Sequence, residues 1–280
     1  MTEIVYSSEP DLLNPVRFIR AMFHDLTASW ELAWRLFVRD FNARYRQTLL
    51  GYVWAFLPPL ATTIPFIFLR SQGLLTTGET SIPYPAYVMV GMLFWQLFVD
   101  AVQCPLKAVI AAKPILSKVQ FPPEAILMAG IGEVLFSFII RLALLVLVFA
   151  WYRSVPPSTA VLMPVVVISI IMLGFMVGLL VTPLGILYED FTPGLAIATT
   201  FWLFFTPVVY PAQRAGIGAL ITRINPVSPL VIVGRDWLTT GNTNQFTEFA
   251  AVSVVSVILL LAAWICYRVA LPHLVARIGN

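Results

Sequence analysis

Long apolar stretches separated by short polar breaks dominate the chain. Six stretches, 52–69, 84–103, 125–151, 160–187, 194–210 and 249–271, approach or exceed the length of a membrane span, since about 20 mainly apolar helical residues cross a hydrocarbon core of about 30 Å. The fifth is short and lies between Pro193 and Pro211. Residues 217–238 differ: the apolar run is interrupted by Asn225-Pro226-Val227-Ser228-Pro229. Each half is too short to span, and the two prolines stop a continuous helix. The pattern predicts two short helices that dip into the outer leaflet and return, a re-entrant hairpin. Backbone at that depth must be covered by protein or face a water-filled cavity. The expected fold class is all-α integral membrane, with six transmembrane helices.

Ahead of the first span, Trp30, Trp34, Phe37, Phe41 and Tyr45 recur at three- and four-residue spacing, which puts them on one helical face. Arg35, Arg39, Asn42 and Arg46 oppose them, and Glu31–Arg35 and Asp40–Arg44 are favourable i,i+4 pairs. This predicts an amphipathic interfacial helix over 29–50. The expected organisation is then a cytoplasmic segment 1–28, the interfacial helix, a six-span domain over 51–271 and a cytoplasmic tail 272–280.

Composition agrees with the pattern. Hydrophobic residues make up 59% of the 280, and only 11% are charged; mean hydropathy is +0.88. Soluble domains carry about 25% charged residues, so lipid is the expected solvent and most soluble enzymes are excluded. A net charge of +3 gives no support to nucleic acid as a partner. Cys104 and Cys266 are far apart, and His24 and His273 are the only histidines, so neither a disulfide framework nor a metal cluster is implied.

Charge placement sets the expected orientation. Residues 1–29 hold Glu3, Glu9, Asp11, Arg17, Arg20 and Asp25 without the apolar run of a secretion signal, so the N-terminus is expected to stay in the cytoplasm. Six spans then put Arg17, Arg20, Arg35, Arg39, Arg44, Arg46, Lys107, Lys113, Lys118, Arg268 and Arg277 inside. The other six basic residues lie outside or within the membrane. That is the direction of the positive-inside rule, and both termini are expected to be cytoplasmic.

The chemistry is sparse. A phosphate-cradling loop ends in Gly-Lys followed by Ser or Thr, whereas the lysines here precede Ala108, Pro114 and Val119. No cofactor is expected in this chain, and if transport is ATP-driven, ATP-Mg belongs to a separate subunit. Zinc-protease and serine-hydrolase signatures are missing as well. Asp100, Glu133 and Arg141 are the charges inside spans. Glu133 and Arg141 lie about 12 Å apart along one helix, too far to pair directly. Arg141 should face protein or water, either in an interhelical hydrogen bond or along a polar pathway. The loop Lys107…Lys113-Pro114-Ile115-Leu116-Ser117-Lys118-Val119-Gln120-Phe121-Pro122 is basic and bounded by prolines, and the next inner loop, Tyr188-Glu189-Asp190-Phe191, is acidic. The first reads either as an ordinary interfacial loop or as a small helix offering an apolar knob to a cytoplasmic partner. The candidates for such docking are Lys113, Pro114, Ile115, Leu116, Lys118, Phe121, Pro122, Glu189 and Asp190.

Arg39-Asp40-Phe41-Asn42-Ala43-Arg44-Tyr45-Arg46-Gln47-Thr48-Leu49-Leu50-Gly51-Tyr52-Val53-Trp54 resembles a signature of polysaccharide-exporting permeases, the type 2 ABC permeases that move O-antigen, teichoic acid or capsular glycans. Lys118-Val119-Gln120-Phe121-Pro122 resembles the cytoplasmic loop of that family, and Asn225-Pro226 followed by Arg235 its outer re-entrant segment. The resemblance covers most of the chain after residue 30. It implies a homodimer in the cytoplasmic (inner) membrane, flanked by two copies of an ABC nucleotide-binding subunit. It also implies a polyprenyl-pyrophosphate-linked polysaccharide as cargo. Under it, Arg44 and Arg46, flanking Tyr45, are candidates for pyrophosphate recognition, because a guanidinium donates paired hydrogen bonds to phosphate oxygens; enforcing topology by binding anionic lipid is the competing role. Sugar C–H faces pack on aromatic rings, so Tyr52, Trp54, Phe56, Phe94, Trp95, Phe201, Trp202, Phe204 and Phe205 are candidates for lining a glycan channel. A permease for a smaller lipid or drug is the alternative within transport. A membrane-embedded transferase would need clustered acidic metal ligands, and Glu189-Asp190 is the only adjacent acidic pair.

Overall fold

A computed structural model describes residues 15–45, 57–74, 80–116, 122–212 and 215–278. Among these residues the chain is helical, without strands. In order the helices are α1 (Pro15–Ala28), α2 (Trp30–Tyr45), α3 (Leu57–Ser71), α4 (Tyr84–Leu116), α5 (Glu124–Trp151), α6 (Met163–Leu187), α7 (Phe191–Phe205), α8 (Gly216–Ile224), α9 (Val227–Thr239) and α10 (Phe246–Ile278). A short 3-10 turn, Ser158–Leu162, leads into α6.

Among the described residues, four segments are long and apolar enough to cross a membrane: Tyr84–Lys113, Glu124–Trp151, Ser158–Leu187 and Phe246–Leu271. They contain the second, third, fourth and sixth expected spans. α7 has the apolar composition of a span in 15 residues, and α8 and α9 form a pair bent by 94°. α3 covers the later part of the first expected span, whose beginning lies outside the described residues.

α4 corrects one expectation. The sequence placed a loop after Gln103, yet the helix continues through Pro105 to Leu116. Val102, Leu106, Val109 and Ala112 are all buried at helical spacing, so the apolar stripe runs on although Lys107 and Lys113 lower the local hydropathy. Lys113 to Leu116, expected in the docking loop, are instead the last turn of a long helix.

α4 is the centre of the molecule. Phe94, Trp95, Leu97 and Phe98 are fully enclosed within it, and α6 lies directly against it along Gly174, Gly178, Thr182 and Gly185, a row of small residues spaced by about one turn. A Cβ on Gly174 would stand 2.6 Å from the Ala101 Cβ and 2.9 Å from the Phe98 carbonyl; on Gly178 it would press into the Val102 carbonyl and the Pro105 ring. Without a hydrophobic drive between helices in lipid, such close backbone approach supplies the packing energy. Thr182 Oγ1 donates to the Gly178 carbonyl at 2.7 Å, so this row holds no unsatisfied hydroxyl. α5 and α10 pack on the α4–α6 centre and turn Val146, Leu147, Val254 and Ile258 outward, the face that lipid would cover.

Gly178→Leu is expected to destabilise the detergent-solubilised protein by about 1–3 kcal/mol, the range for forcing methylenes into a packed contact. Gly194 faces open space, and Gly194→Ala should leave thermal unfolding unchanged or raise its midpoint slightly. Equal effects of the two substitutions would show that the α4–α6 contact is not tight.

Candidate functional site

One end of the helix bundle gathers the start of the chain. Arg268, near the end of α10, donates through Nη1 to Glu124 Oε1 at 2.6 Å and through Nη2 to Asp25 Oδ2. One guanidinium therefore fastens α1 to the ends of α5 and α10. Phe23 of α1 meets Trp264 of α10 edge to face, with ring centroids 5.6 Å apart.

α2 is laid against α5 by its second half. The Phe37 ring lies over Gly132, where any Cβ would meet it at 3.0 Å, and Phe41 packs edge to face on Phe136 with centroids at 4.6 Å. The expected aromatic stripe thus divides. Phe37 and Phe41 bind the bundle, while Trp30 (67% exposed) and Trp34 (58%) point away from it, and Ala33 is buried instead. A straight helix crossing another at an angle cannot keep its whole apolar face in contact. The expected Glu31–Arg35 pair is present at 2.6 Å. Asp40 accepts from its neighbour Arg39 at 2.7 Å; the side chain of Arg44, its expected partner, is outside the described residues.

Within the bundle, Arg141 of α5 donates to Asp100 of α4 at 2.6 Å. This is the interhelical hydrogen bond, one of the two readings open for Arg141, and its partner is another of the three charges inside the expected spans.

The far end is organised by α8, α9 and the segment after α7. Arg235 of α9 is buried and donates to Tyr87 Oη at 2.6 Å, to the Pro207 carbonyl at 3.0 Å and to the Val208 carbonyl at 2.5 Å. Its guanidinium also lies 4.0 Å from the Tyr87 ring centroid. Gly91 makes room for it, since a Cβ there would collide with both the Val208 carbonyl and the guanidinium. Asn225, at the bend, accepts from Trp202 Nε1 at 3.1 Å and from the Val227 amide at 3.1 Å, and donates to Thr206 Oγ1 at 2.7 Å. Trp202 in turn packs edge to face on Phe98 at 5.2 Å. Phe98 lies about 20 Å along α4 from its start, so the bend sits well inside the molecule. From there α9 climbs back until the Trp237 carbonyl accepts from Thr159 Oγ1 at 2.8 Å, just ahead of α6.

The candidate channel aromatics separate by environment. Phe94 and Trp95 are packed inside the subunit. Trp202 is partly buried, and Phe201, Phe204 and Phe205 are exposed along α7. Tyr52, Trp54 and Phe56 lie outside the described residues. Of the docking candidates, Glu189 and Asp190 are exposed, while Lys113 and Pro122 are partly buried. Pro114, Ile115 and Leu116 close α4, with side chains outside the described set, and Lys118 and Phe121 lie outside it altogether. Arg44 and Tyr45 end α2, again without described side chains, and Arg46 lies beyond. Sequence reasoning missed Tyr87, Asp25 and Glu124. A tyrosine in an apolar run carries no local sign of an arginine partner 148 positions away, and Asp25 meets Arg268 across 243 positions.

No established family profile matches the chain. It is similar to the O-antigen export system permease protein RfbA of Myxococcus xanthus, with 27% identity over 229 residues, 80% of this chain and 86% of the relative. A second relative, the O-antigen export system permease protein RfbA of Klebsiella pneumoniae, is 22% identical over 210 residues, covering 74% and 79% of the two chains. These likenesses run in the direction of the resemblance read from 39–54.

Arg141→Met should destabilise the protein by about 2–4 kcal/mol, because it strands the Asp100 carboxylate. Adding Asp100→Leu should recover most of that loss in thermal unfolding. A double variant as unstable as the single one would show that the pair itself carries little.

Proposed function

We propose that this chain is the membrane-spanning permease subunit of an ABC exporter that carries O-antigen, a polysaccharide built on a polyprenyl-pyrophosphate lipid, across the cytoplasmic membrane. The observation that carries the reading is the similarity to two O-antigen export permeases over most of the length of all three chains. It is a transport subunit rather than an enzyme, and it works with an ATP-binding partner, in two copies on a separate polypeptide.

The geometry fits that role when the end holding α1, α2 and Arg268 is taken as cytoplasmic. Six crossings then follow, with α3 completing the first and α7, extended by Thr206–Tyr210, forming the fifth. The bend at Asn225 makes α8 and α9 a re-entrant pair entering from the outer side. Its polar backbone is supported by Trp202, Thr206 and Asn225, as irregular backbone at membrane depth requires. α7 is loosely held and presents Phe201, Phe204 and Phe205 outward. In a homodimer these rings would face the second copy or the glycan passing between the two. The end of α4, together with exposed Glu189 and Asp190, forms the surface offered to the ATPase.

Deleting the gene should abolish surface O-antigen and leave the lipid-linked glycan inside the cell. Restoration should require both this chain and an ATP-hydrolysing partner. Ile115→Asp with Leu116→Asp is expected to cut co-purification of that partner by an order of magnitude while insertion persists. Export that continues without any ATPase would exclude this function.

Arg44→Lys with Arg46→Lys keeps the charge and removes the planar fork. Pyrophosphate recognition at α2 predicts reduced export and reduced substrate-stimulated ATP hydrolysis at normal expression. Full export by the double variant would leave these arginines a topological role alone.

A further inference from the structure

We propose that Arg70, in the last turn of α3, binds the phosphate of a lipid at the outer face of the membrane. Its guanidinium lies 4.1 Å from the centroid of the Tyr84 ring, at the start of α4. Nη1 is enclosed without a hydrogen-bond partner, and among the described residues the side chain makes no ion pair. The inference rests on the orientation taken above, which puts the end of α3 and the start of α4 outside, and not on which cargo is moved.

Local structure holds this charge in place. α3 stops at Ser71, and Gly73, with φ 70°, turns the chain so that its amide donates to the Arg70 carbonyl at 3.0 Å. The Leu74 amide closes the Leu69 carbonyl in the same way, also at 3.0 Å. A cation in the last turn complements the helix dipole, and the capped end delivers Arg70 at a defined height. Phe66 and Thr63, about one and two turns earlier on the same face, are turned into the molecule, so Arg70 projects toward α4. Tyr84 is fixed as well. Its hydroxyl donates to the Val209 carbonyl at 3.1 Å, and its ring stacks on Tyr87 with centroids 6.5 Å apart.

Arg70 and Arg235 thus bracket a pair of stacked tyrosines, but only Arg235 has given its terminal nitrogens away, to Tyr87 and two backbone carbonyls. Arg70 donates none among the described residues. An arginine that merely marks topology stretches its head into water and keeps its nitrogens wet. Here the head is folded back over a ring, and Nη1 has lost its water without gaining a partner, which costs free energy. In this orientation Arg70 also stands against the positive-inside trend. The result is a planar fork held at the level where the apolar helix ends and lipid head groups begin, and phosphate is the anion of that layer. A guanidinium donates paired hydrogen bonds to phosphate oxygens, and Arg70 is only partly buried, which leaves an edge to receive them. The phosphodiester of a resident lipid and the phosphate of a carrier lipid offer the same oxygens. A phosphate seated there would bear on Tyr84 and, through its hydroxyl, on the 207–209 segment whose carbonyls also hold Arg235. A lipid at the outer face would thereby brace the far end of the bundle.

The test is photo-crosslinking of the full-length protein in a phosphate-free maltoside detergent, with a phosphatidylglycerol that carries a diazirine beside its head group. Peptide mapping should find adducts on the segments around Arg70 and Tyr84. Arg70→Gln should cut their yield several-fold while adducts elsewhere in the chain persist, and Arg70→Lys should retain part of it. Equal yields from the parent protein and Arg70→Gln would overturn the proposal. So would displacement of the probe from the parent protein by unlabelled diacylglycerol as readily as by unlabelled phosphatidylglycerol, which would mark an apolar contact alone. That competition needs no variant, so a substitution that prevents folding does not shield the proposal. Displacement by a polyprenyl pyrophosphate at lower concentration than phosphatidylglycerol would assign the phosphate to a carrier lipid, and the reverse order to a resident one. Glu79, outside the described residues, is the control for a partner within the chain. Glu79→Gln should leave the yield unchanged, and adducts that arise only in that variant would refute the proposal. Ser71→Cys, with Cys104→Ser and Cys266→Ser, should react with an impermeant thiol reagent from outside. Labelling only from the cytoplasm would overturn the outer placement whatever the cargo.

Discussion

A polar group surrounded by hydrocarbon has no water to turn to, and much of the architecture follows from the arginines and the asparagine that find partners. Arg235 is the extreme case. It is buried and collects two carbonyls and a phenol, and those three acceptors belong to the segment after α7 and to α4. Pairing the two terminal nitrogens of one guanidinium thus fixes three pieces of chain at the far end, while its buried Nε has no hydrogen-bond partner among the described residues. Asn225 does the same lower down for α7 and the bend, and Arg268 at the other end for α1, α5 and α10. In soluble proteins such bonds compete with hydration and contribute little net energy. Here the alternative is an unsatisfied group in lipid, which costs several kcal/mol, so they act as fasteners at chosen places.

Between the fasteners, packing is done by what is missing from side chains. Gly174 and Gly178 let α6 lie against α4 at backbone distance, and Gly91 and Gly132 admit an arginine and a phenylalanine ring. The molecule therefore has a stiff α4–α6 centre. Around it, α2 packs on α5 through Phe37 and Phe41, and both α2 and α7 keep apolar surface on their outer sides.

The sequence made the class of fold legible because hydropathy over about 20 residues reports the solvent directly. Four of the expected spans were found as apolar helices, and the interruption at Asn225-Pro226 coincides with the 94° bend. What stayed hidden was relational. Hydropathy stopped α4 at Gln103, since Lys107 and Lys113 weigh on an average, whereas the helix is held by the side that Leu106 and Val109 bury. The division of the α2 stripe could not be read from spacing, because spacing defines a face but not the angle at which a neighbour crosses it. Arg141 was recognisable as needing a partner, yet Asp100, 41 positions earlier, is identified only by the fold. The resemblance at 39–54 pointed to the proposed function, while nine of its sixteen residues, 46–54, lie outside the described residues.

α4 has one further consequence. Its 33 residues form a continuous rod of about 50 Å, longer than the hydrocarbon layer is thick. One tip carries Lys113 and leads into the surface proposed for the ATPase. The other carries Tyr87, against which Arg235 rests. A rigid lever with its fulcrum in the glycine-lined contact with α6 converts a sideways push at one tip into an opposite displacement at the other. In the proposed orientation, a push on the ATPase side would reach the opposite side of the membrane along this one helix.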